Sequence, residues 1–363
     1  MMEPLAALGA AIGVAALMVC LVLLSSGGLQ TREQTVTLLK SKSSTGYSYK
    51  TASIEDTPAG FIMTNDWGNL TLFSDVSGRL YRSIDYGDSW STDADALDGG
   101  VMYGAAMSGD GKEILAGTAS GGVYYSDDFG ESFAVRSKTA CSIVAASADL
   151  SKAACVSGAV GDKNYIYYST NSGKKWSKSS IKRAWIGLAS NADASYIVGI
   201  IGPASLEYAW LSTDGGASFS ILANEETRTW GCMGHSRDLS RMIITDVDTI
   251  NTHVSVDYGQ TWFQIYCGEC QQVDYTQIGY ANCAVSGDGL SYALGFQGGQ
   301  LEVVHDCDPN VDGTHECKDF WETQDAVSTS DVWDTAGTAF SYDGTYFYTV
   351  DASTLLVASG KYK

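Results

Sequence analysis

Residues 305–321 read HDCDPNVDGTHECKDFW and hold the most specific ligand spacing in the chain. Asp308, Asn310 and Asp312 alternate, Gly313 follows, and Thr314, Glu316 and Asp319 continue the series. Alternating oxygen donors can wrap a hard cation, and a glycine in the middle permits the sharp turn, so the expected ligand is Ca²⁺. Thr314 would offer its backbone carbonyl, and Glu316 would reach the ion directly or through water. The loop departs from the usual pattern at its end, where the shorter Asp319 replaces a bidentate Glu. The alternative is an enlarged hairpin whose acids only bond the turn.

A second set of residues suits recognition of a ligand. Lys182, Arg183, Trp185, Glu207, Tyr208, Glu225, Glu226, Arg228 and Trp230 lie in nearby stretches where charges adjoin aromatics. Guanidinium groups pair with carboxylates and aromatic faces pack on apolar ligand surfaces, as a glycan or peptide site requires. The alternative is a set of solvated loops with Trp185 and Trp230 packed inward. No residue is assigned a catalytic role.

The cysteines bear on the compartment. Of nine, Cys20 lies in an apolar segment, and an even eight remain. That number fits disulfides in an oxidising environment. Cys141 and Cys155 flank the turn at Asp149, so they can pair across two strands of one unit; Cys307 and Cys317 bracket the acidic loop. Cys232, Cys267, Cys270 and Cys283 allow three pairings, among them Cys232 with Cys283 between neighbouring inner strands. Cys267 and Cys270 also form a CxxC, but no second metal-binding pair follows it. Asn69-Leu70-Thr71 is a glycosylation sequon.

The net charge of −20 disfavours nucleic acid and anionic lipid as partners. Residues 1–4 are a short flank, and 5–24 contain no charged residue. Twenty helical residues span about 30 Å, enough to cross a bilayer, so a transmembrane helix or signal anchor is expected, with a cleaved signal peptide as the alternative. Arg32, Lys40 and Lys42 follow this segment and would by themselves place the rest in the cytoplasm; the cysteines argue for an extracellular or luminal position. Residues 25–34 read as a linker.

Everything after it must position these groups, and its organisation shows as a repeat. SIDYGDSW at Ser83 is followed by SDDFGESF, STNSGKKW, STDGGASF and SVDYGQTW, each starting 43 residues after the last. In the second copy, MYGAAMS, EILAGT, GVYYS and FAVRS read as four short strands separated by Gly/Asp/Ser turns. A second family of turns recurs around Asp66, Asp110, Asp149, Asp193, Asp238, Asp288 and Asp343. The expected fold is all-β, a seven-bladed β-propeller of four-stranded antiparallel blades over 35–363. GTAFS, TYFYTV and TLLVAS supply three strands of the last blade, and a strand near 35–41 is expected to close it.

The turn S-x-D-x-G-x-x-W, with Phe allowed last, resembles the Asp-box or bacterial neuraminidase repeat. That repeat marks sialidase-like propellers, sortilin-type receptor propellers, some glucan hydrolases and a photosystem assembly factor. Its positions here are Asp85/Trp90, Asp128/Phe133, Asn171/Trp176, Asp214/Phe219 and Asp257/Trp262. The box Asp is expected to accept turn N–H groups and the aromatic to pack between sheets, which is a structural role. A sialidase would also need an arginine cluster, and the Arg-Ile-Pro motif of that family is missing; GFIMTNDWG stands in its region. Another glycoside hydrolase would need only two carboxylates at a set separation.

Strand alternation puts both turn families on one side of the ring. The opposite side then carries the variable loops, including 178–185, 202–208 and 223–230, where function usually sits. The leading expectation is a non-catalytic glycan- or protein-binding module. A glycoside hydrolase and a structural surface or virion-envelope protein are the alternatives.

Overall fold

The computed structural model describes residues 47–202, 206–222, 227–246, 251–265, 280–296, 301–304, 335–353 and 355–362. Every regular element among them is a β-strand. The first, β1 (Tyr47–Ser53), stands apart from the sheet that follows it in sequence. β2 (Pro58–Thr64), β3 (Thr71–Asp75), β4 (Leu80–Ser83) and β5 (Ser91–Asp93) form an antiparallel meander, as do β6 (Met102–Met107), β7 (Ile114–Thr118), β8 (Gly122–Ser126) and β9 (Ala134–Ser137). The next sheet runs continuously through β10 (Val144–Ala146), β11 (Ala153–Val156), β12 (Lys163–Ser169), β13 (Ser177–Ser190), β14 (Ile197–Ile201), β15 (Trp210–Ser212) and β16 (Ser220–Ile221). Then come β17 (Trp230–His235), β18 (Met242–Asp246), β19 (Asn251–Ser255) and β20 (Phe263–Ile265), followed by β21 (Tyr280–Val285), β22 (Tyr292–Phe296) and β23 (Leu301–Val304). The last sheet holds β24 (Thr335–Phe340), β25 (Tyr346–Asp351) and β26 (Leu356–Tyr362).

The first strands of these meanders touch in cyclic order. β2 lies against β6 and β24, β6 against β10, β10 against β13, β13 against β17, β17 against β21, and β21 against β24. Their sequences explain how they converge. MYGAAM, VAA, WGCMGH and TAGTAF are rich in Gly and Ala, and a Cβ on Gly104 or Gly234 would come within 2.9 Å of the neighbouring strand's backbone. Larger residues lie farther out, between sheets. Leu72, Ile114, Leu80 and Met102 fill one such interface, and Val198, Ile200, Met242 and Ile244 another. Leu72 is fully buried, and truncating such a residue to Ala typically costs about 2–5 kcal/mol.

Two expectations need correction. The strand beside β26 is β1, paired from Tyr47↔Tyr362 to Ser53↔Leu356; residues 35–41 lie outside the described part. β1 suits this edge because Tyr49 turns inward onto Phe347 (6.5 Å between ring centroids) while Lys50 turns outward to Asp88. In addition, 178–185 is not a loop. It lies within β13, which pairs with β12 up to Ala184 and with β14 from Trp185. No Gly, Pro, Asn or Asp interrupts Ser177–Ile186, so nothing there breaks the strand.

The repeated turns are built alike. In the first, Ser83 donates to Asp85 Oδ1 (2.9 Å), Gly87 N donates to Ser83 Oγ (2.9 Å), and Ser89 N donates to Asp85 Oδ1 (2.9 Å). Tyr86 and Gly87 both have positive φ, 63° and 78°, a conformation that favours Gly at the second position. The terminal aromatics pack into sheet interfaces. Trp90 meets Phe73 edge-on at 5.4 Å and Phe219 lies 5.7 Å from Trp185. Phe133, Trp176 and Trp262 join the neighbouring cores.

Both described disulfides follow from placement. Cys141, just before β10, bonds Cys155 on β11 with Cα atoms 5.5 Å apart. Cys232 on β17 bonds Cys283 on β21, Cα–Cα 5.8 Å, tying two adjacent inner strands. Cys267, Cys270, Cys307 and Cys317 lie outside the described residues.

Candidate ligand-binding face

β13 carries Lys182 and Arg183 at the place where it changes from outer strand of one meander to inner strand of the next. Trp185, two residues on, is fully buried. Arg183 lies over the Trp210 ring with its guanidinium carbon 5.1 Å from the centroid. Such stacking is favourable because the ring face is negative. Leu206, 62% exposed, and the half-buried Tyr208 lie just before Trp210 in the chain.

The remaining residues expected at this site divide into two groups. Glu207 and Arg228 pair through their backbones, with N–O distances of 3.0 Å in both directions. Arg228 then turns its side chain to the buried Asp246, Nη1 to Oδ2 3.0 Å. Trp230 donates its Nε1 proton to the Glu207 carbonyl (2.8 Å) and meets His253 edge-on. Trp185 and Trp230 are therefore structural, a correction to their expected place on a ligand face: each fills a space between strands and cannot meet a ligand. Arg183 and Tyr208 remain on the surface, and Lys182 is exposed beside Tyr165. Glu225 and Glu226 lie outside the described residues.

The sequence does not single out Trp210 or Tyr165, and Leu206 enters only as part of the 202–208 stretch expected on the variable side. A usable signal existed for Trp210: WLS precedes a repeated turn, so Trp210 begins the third strand of its unit, at the variable end.

Three buried carboxylates on this side are engaged. Asp75, at the end of β3 and fully buried, accepts from Ser77 N (3.0 Å), Arg79 N (3.0 Å) and Tyr81 Oη (3.1 Å). Asp351 holds the turn after β25 through Ser353 N at 2.7 Å. Asp246 is the partner of Arg228. These bonds fix turns rather than point toward a substrate.

The opening at the centre of the ring encloses a cavity of ≈ 480 Å³, bordered by Tyr103, His235, Asn282 and Thr338 among others. Thr338 donates to Asn282 Oδ1 (2.9 Å), and Asn282 donates to the Ala336 carbonyl (3.1 Å). Burial lowers the pKa of His235, against the opposing effect of the Ser236 carbonyl 3.0 Å from its Nδ1.

Among the described residues, no group of three or more His, Cys, Asp or Glu side chains could hold a metal ion. The acidic loop from Asp308 to Asp319 lies outside them. So do residues 5–24, and no described helix is long and apolar enough to cross a membrane. Asn69 lies in the turn after β2, where its Oδ1 accepts from Asn65 Nδ2 at 2.8 Å.

No family model and no curated protein matches the sequence. Solved structures do match in fold. The structure of YCF48 bound to a D1 peptide superposes with a TM-score of 0.62 at 13% identity, covering 86% of this chain and 96% of that one. The β-propeller domain of Myceliophteria thermophila Cps50 (Swd1) gives 0.59 at 9% identity, covering 91% and 100%. An ancestral GH74 enzyme gives 0.56 at 12% identity, with 83% of this chain matching 45% of that one. The described strands thus form a β-propeller.

Proposed function

We propose that this chain is a non-catalytic binding module, a seven-bladed Asp-box propeller whose variable face takes a protein segment. The observation that carries this reading is Arg183 spread over Trp210 beside exposed Leu206. A charged group on an aromatic, next to apolar surface, is the usual makeup of a binding hot spot. One propeller of the same fold is bound to a peptide, which makes a peptide ligand preferable to a glycan. The glycoside hydrolase reading has less support, because Asp75, Asp246 and Asp351 are all committed to local partners.

The two disulfides favour an oxidising compartment. We read residues 5–24 as an anchor that holds the propeller on the extracellular or luminal side of a membrane, with Asn69 a glycosylation site. The stretch from Asp308 to Asp319, with Cys307 just before it and Cys317 two residues before its end, is proposed to bind Ca²⁺ on its spacing alone.

Probing peptide and glycan arrays with the full-length chain and with Arg183→Ala tests the binding reading. It predicts retained peptides whose signal falls about tenfold in the variant. Release of sugar products from the glycan array, or peptide binding indifferent to Arg183, would overturn it.

A further inference from the structure

The β10–β13 meander is charged against the rest of the molecule. The chain has 22 Lys and Arg against 42 Asp and Glu, yet residues 136–183 hold nine basic residues and only two acids, Asp149 and Asp162. Several of the basic residues gather on the outermost strand pair. Register places Lys163 opposite Ala184, Tyr165 opposite Lys182, and Tyr167 opposite Lys178. Lys178 and Lys182 both lie over the ring of Tyr165, with Nζ 4.3 and 5.7 Å from its centroid. The ring therefore holds two ammonium groups along one strand while both lysines stay exposed.

The same strand offers an open edge. From Ser177 to Arg183, β13 pairs with β12 on one side and no described strand pairs with its other side, whereas the Ala184 carbonyl already accepts from Gly202 N (2.8 Å). The outer strands β5, β9, β16 and β20 are only two to four residues long. An unpaired edge presents backbone N–H and C=O groups that a further strand can use. Lysine on an edge also discourages unwanted pairing. Edge protection accounts for single lysines but not for nine basic residues gathered within 136–183 of a chain whose net charge is −20.

We propose that the edge of β13 from Ser177 to Arg183 binds an acidic, extended polypeptide segment as an added strand. Carboxylates on alternate residues of that segment, about 6–7 Å apart on one face, meet Lys163, Lys178 and Lys182. Backbone hydrogen bonds supply the ladder, and the local positive field selects the partner and speeds its arrival. This deepens the reading of the chain as a protein-binding module and rests on it, but uses a different surface from the Arg183–Trp210 pair.

The test titrates the full-length chain against a fluorescent peptide of alternating Glu and Val, about eight residues long to match the edge. Fluorescence anisotropy should report saturable binding that weakens as salt rises. Lys178→Glu with Lys182→Glu should weaken it about tenfold or more, and the milder pair Lys178→Gln with Lys182→Gln should lie between, which guards against a folding defect. N-methylating alternate peptide nitrogens should weaken it comparably, because the ladder donors are lost. Affinity unchanged by charge reversal overturns the proposal. So does an N-methylated peptide that binds equally well, or heparin that binds more tightly than the peptide. Arg183→Ala should leave this binding intact, so loss of array binding in that variant with the Glu-Val peptide still held identifies two separate surfaces.

Discussion

Arg237, in the turn after β17, is paired with Asp66, in the turn after β2 and 171 residues earlier. Its Nη1 donates to Asp66 Oδ2 at 2.6 Å, a second bond joins Nη2 to Oδ1, and the guanidinium lies 5.3 Å from the Tyr342 ring centroid. Backbone bonds extend the junction: Asp66 N reaches Gly109 O, Arg237 N reaches Gly287 O, and Tyr342 N reaches Asp66 O. One ion pair thus links the β2 and β17 meanders directly. Burial raises the pKa of Asp66, with nearby Asp110 adding to the rise, and Arg237 opposes it.

Arg237→Met should therefore destabilise the ring at pH 7 by about 1–3 kcal/mol, since it leaves a half-buried carboxylate unpaired. Without Arg237, Asp66 moves further above its unfolded value. A carboxyl raised in the folded state favours folding when protonated, so the penalty should shrink as the pH falls toward 4. Urea melts of both proteins at pH 7 and pH 4.5 provide the comparison. A penalty that grows on acidification would refute the role given to this pair, as would an Asp66→Asn variant weaker than Arg237→Met.

The repeated turns predict the opposite pH response for the whole molecule. Burial alone would raise Asp128, but Ser132 and Ser126 bond its carboxylate and hold its pKa down to about 2. Asp85, Asp214 and Asp257 are lowered in the same way. Stability from such groups is complete above the ordinary Asp value near 4 and is lost as the pH falls through the folded values. The melting temperature should thus drop between about pH 4 and pH 2.

The third turn shows which part of the turn needs charge. Asn171 accepts from Ser169 Oγ (3.0 Å) and Lys175 N (2.9 Å), as the aspartates do from their equivalents. In the other copies Ser89, Ser132, Ser218 and Thr261 donate a hydroxyl to the second carboxylate oxygen, and the third has Lys175 at that position. Asp128→Asn keeps the first acceptor but loses the charge and the second one, so it should be destabilised at pH 7 by less than Asp128→Ala, which should cost about 1 kcal/mol at this partly exposed site. Thermal melts of the two variants decide the matter, and equal losses would contradict it.

The fold was legible because the turns need particular residues at fixed offsets. Ser, Asp, Gly and a terminal aromatic each have one job in the hairpin, and the spacing of the copies reports the unit. The candidate site was harder to read because its location depends on where a strand stops. Residues 178–185 resemble a loop in polarity, yet β13 runs through them, and that alone turns Trp185 into the core while Arg183 meets Trp210. The closing strand was likewise misplaced, since TVTLLKS and YSYKTAS both alternate and only the fit of Tyr49 on Phe347 distinguishes the second. Long-range partners such as Asp66 and Arg237 leave no local signature at all.

The calcium proposed for Asp308–Asp319 is open to direct measurement. Ligand bound only by the folded chain raises the melting temperature, so EGTA should lower it and added Ca²⁺ should restore it. Asp312→Ala should remove the difference. Identical melting with and without chelator would leave the acids as turn-formers.

The two disulfides should differ in worth because they close loops of different length. Cys141–Cys155 spans 14 residues and Cys232–Cys283 spans 51. Restricting the unfolded chain gives about 3 kcal/mol for the shorter loop and about 4 kcal/mol for the longer. The longer one also ties β17 to β21, so its loss relaxes a contact between inner strands that hold the ring closed, whereas Cys141–Cys155 stays within one meander. Replacing Cys232 and Cys283 with Ser should accordingly lower stability more than replacing Cys141 and Cys155. Denaturation midpoints of the two double variants rank them, and the reverse order would show that the local clamp on β10 and β11 matters more than the junction between meanders.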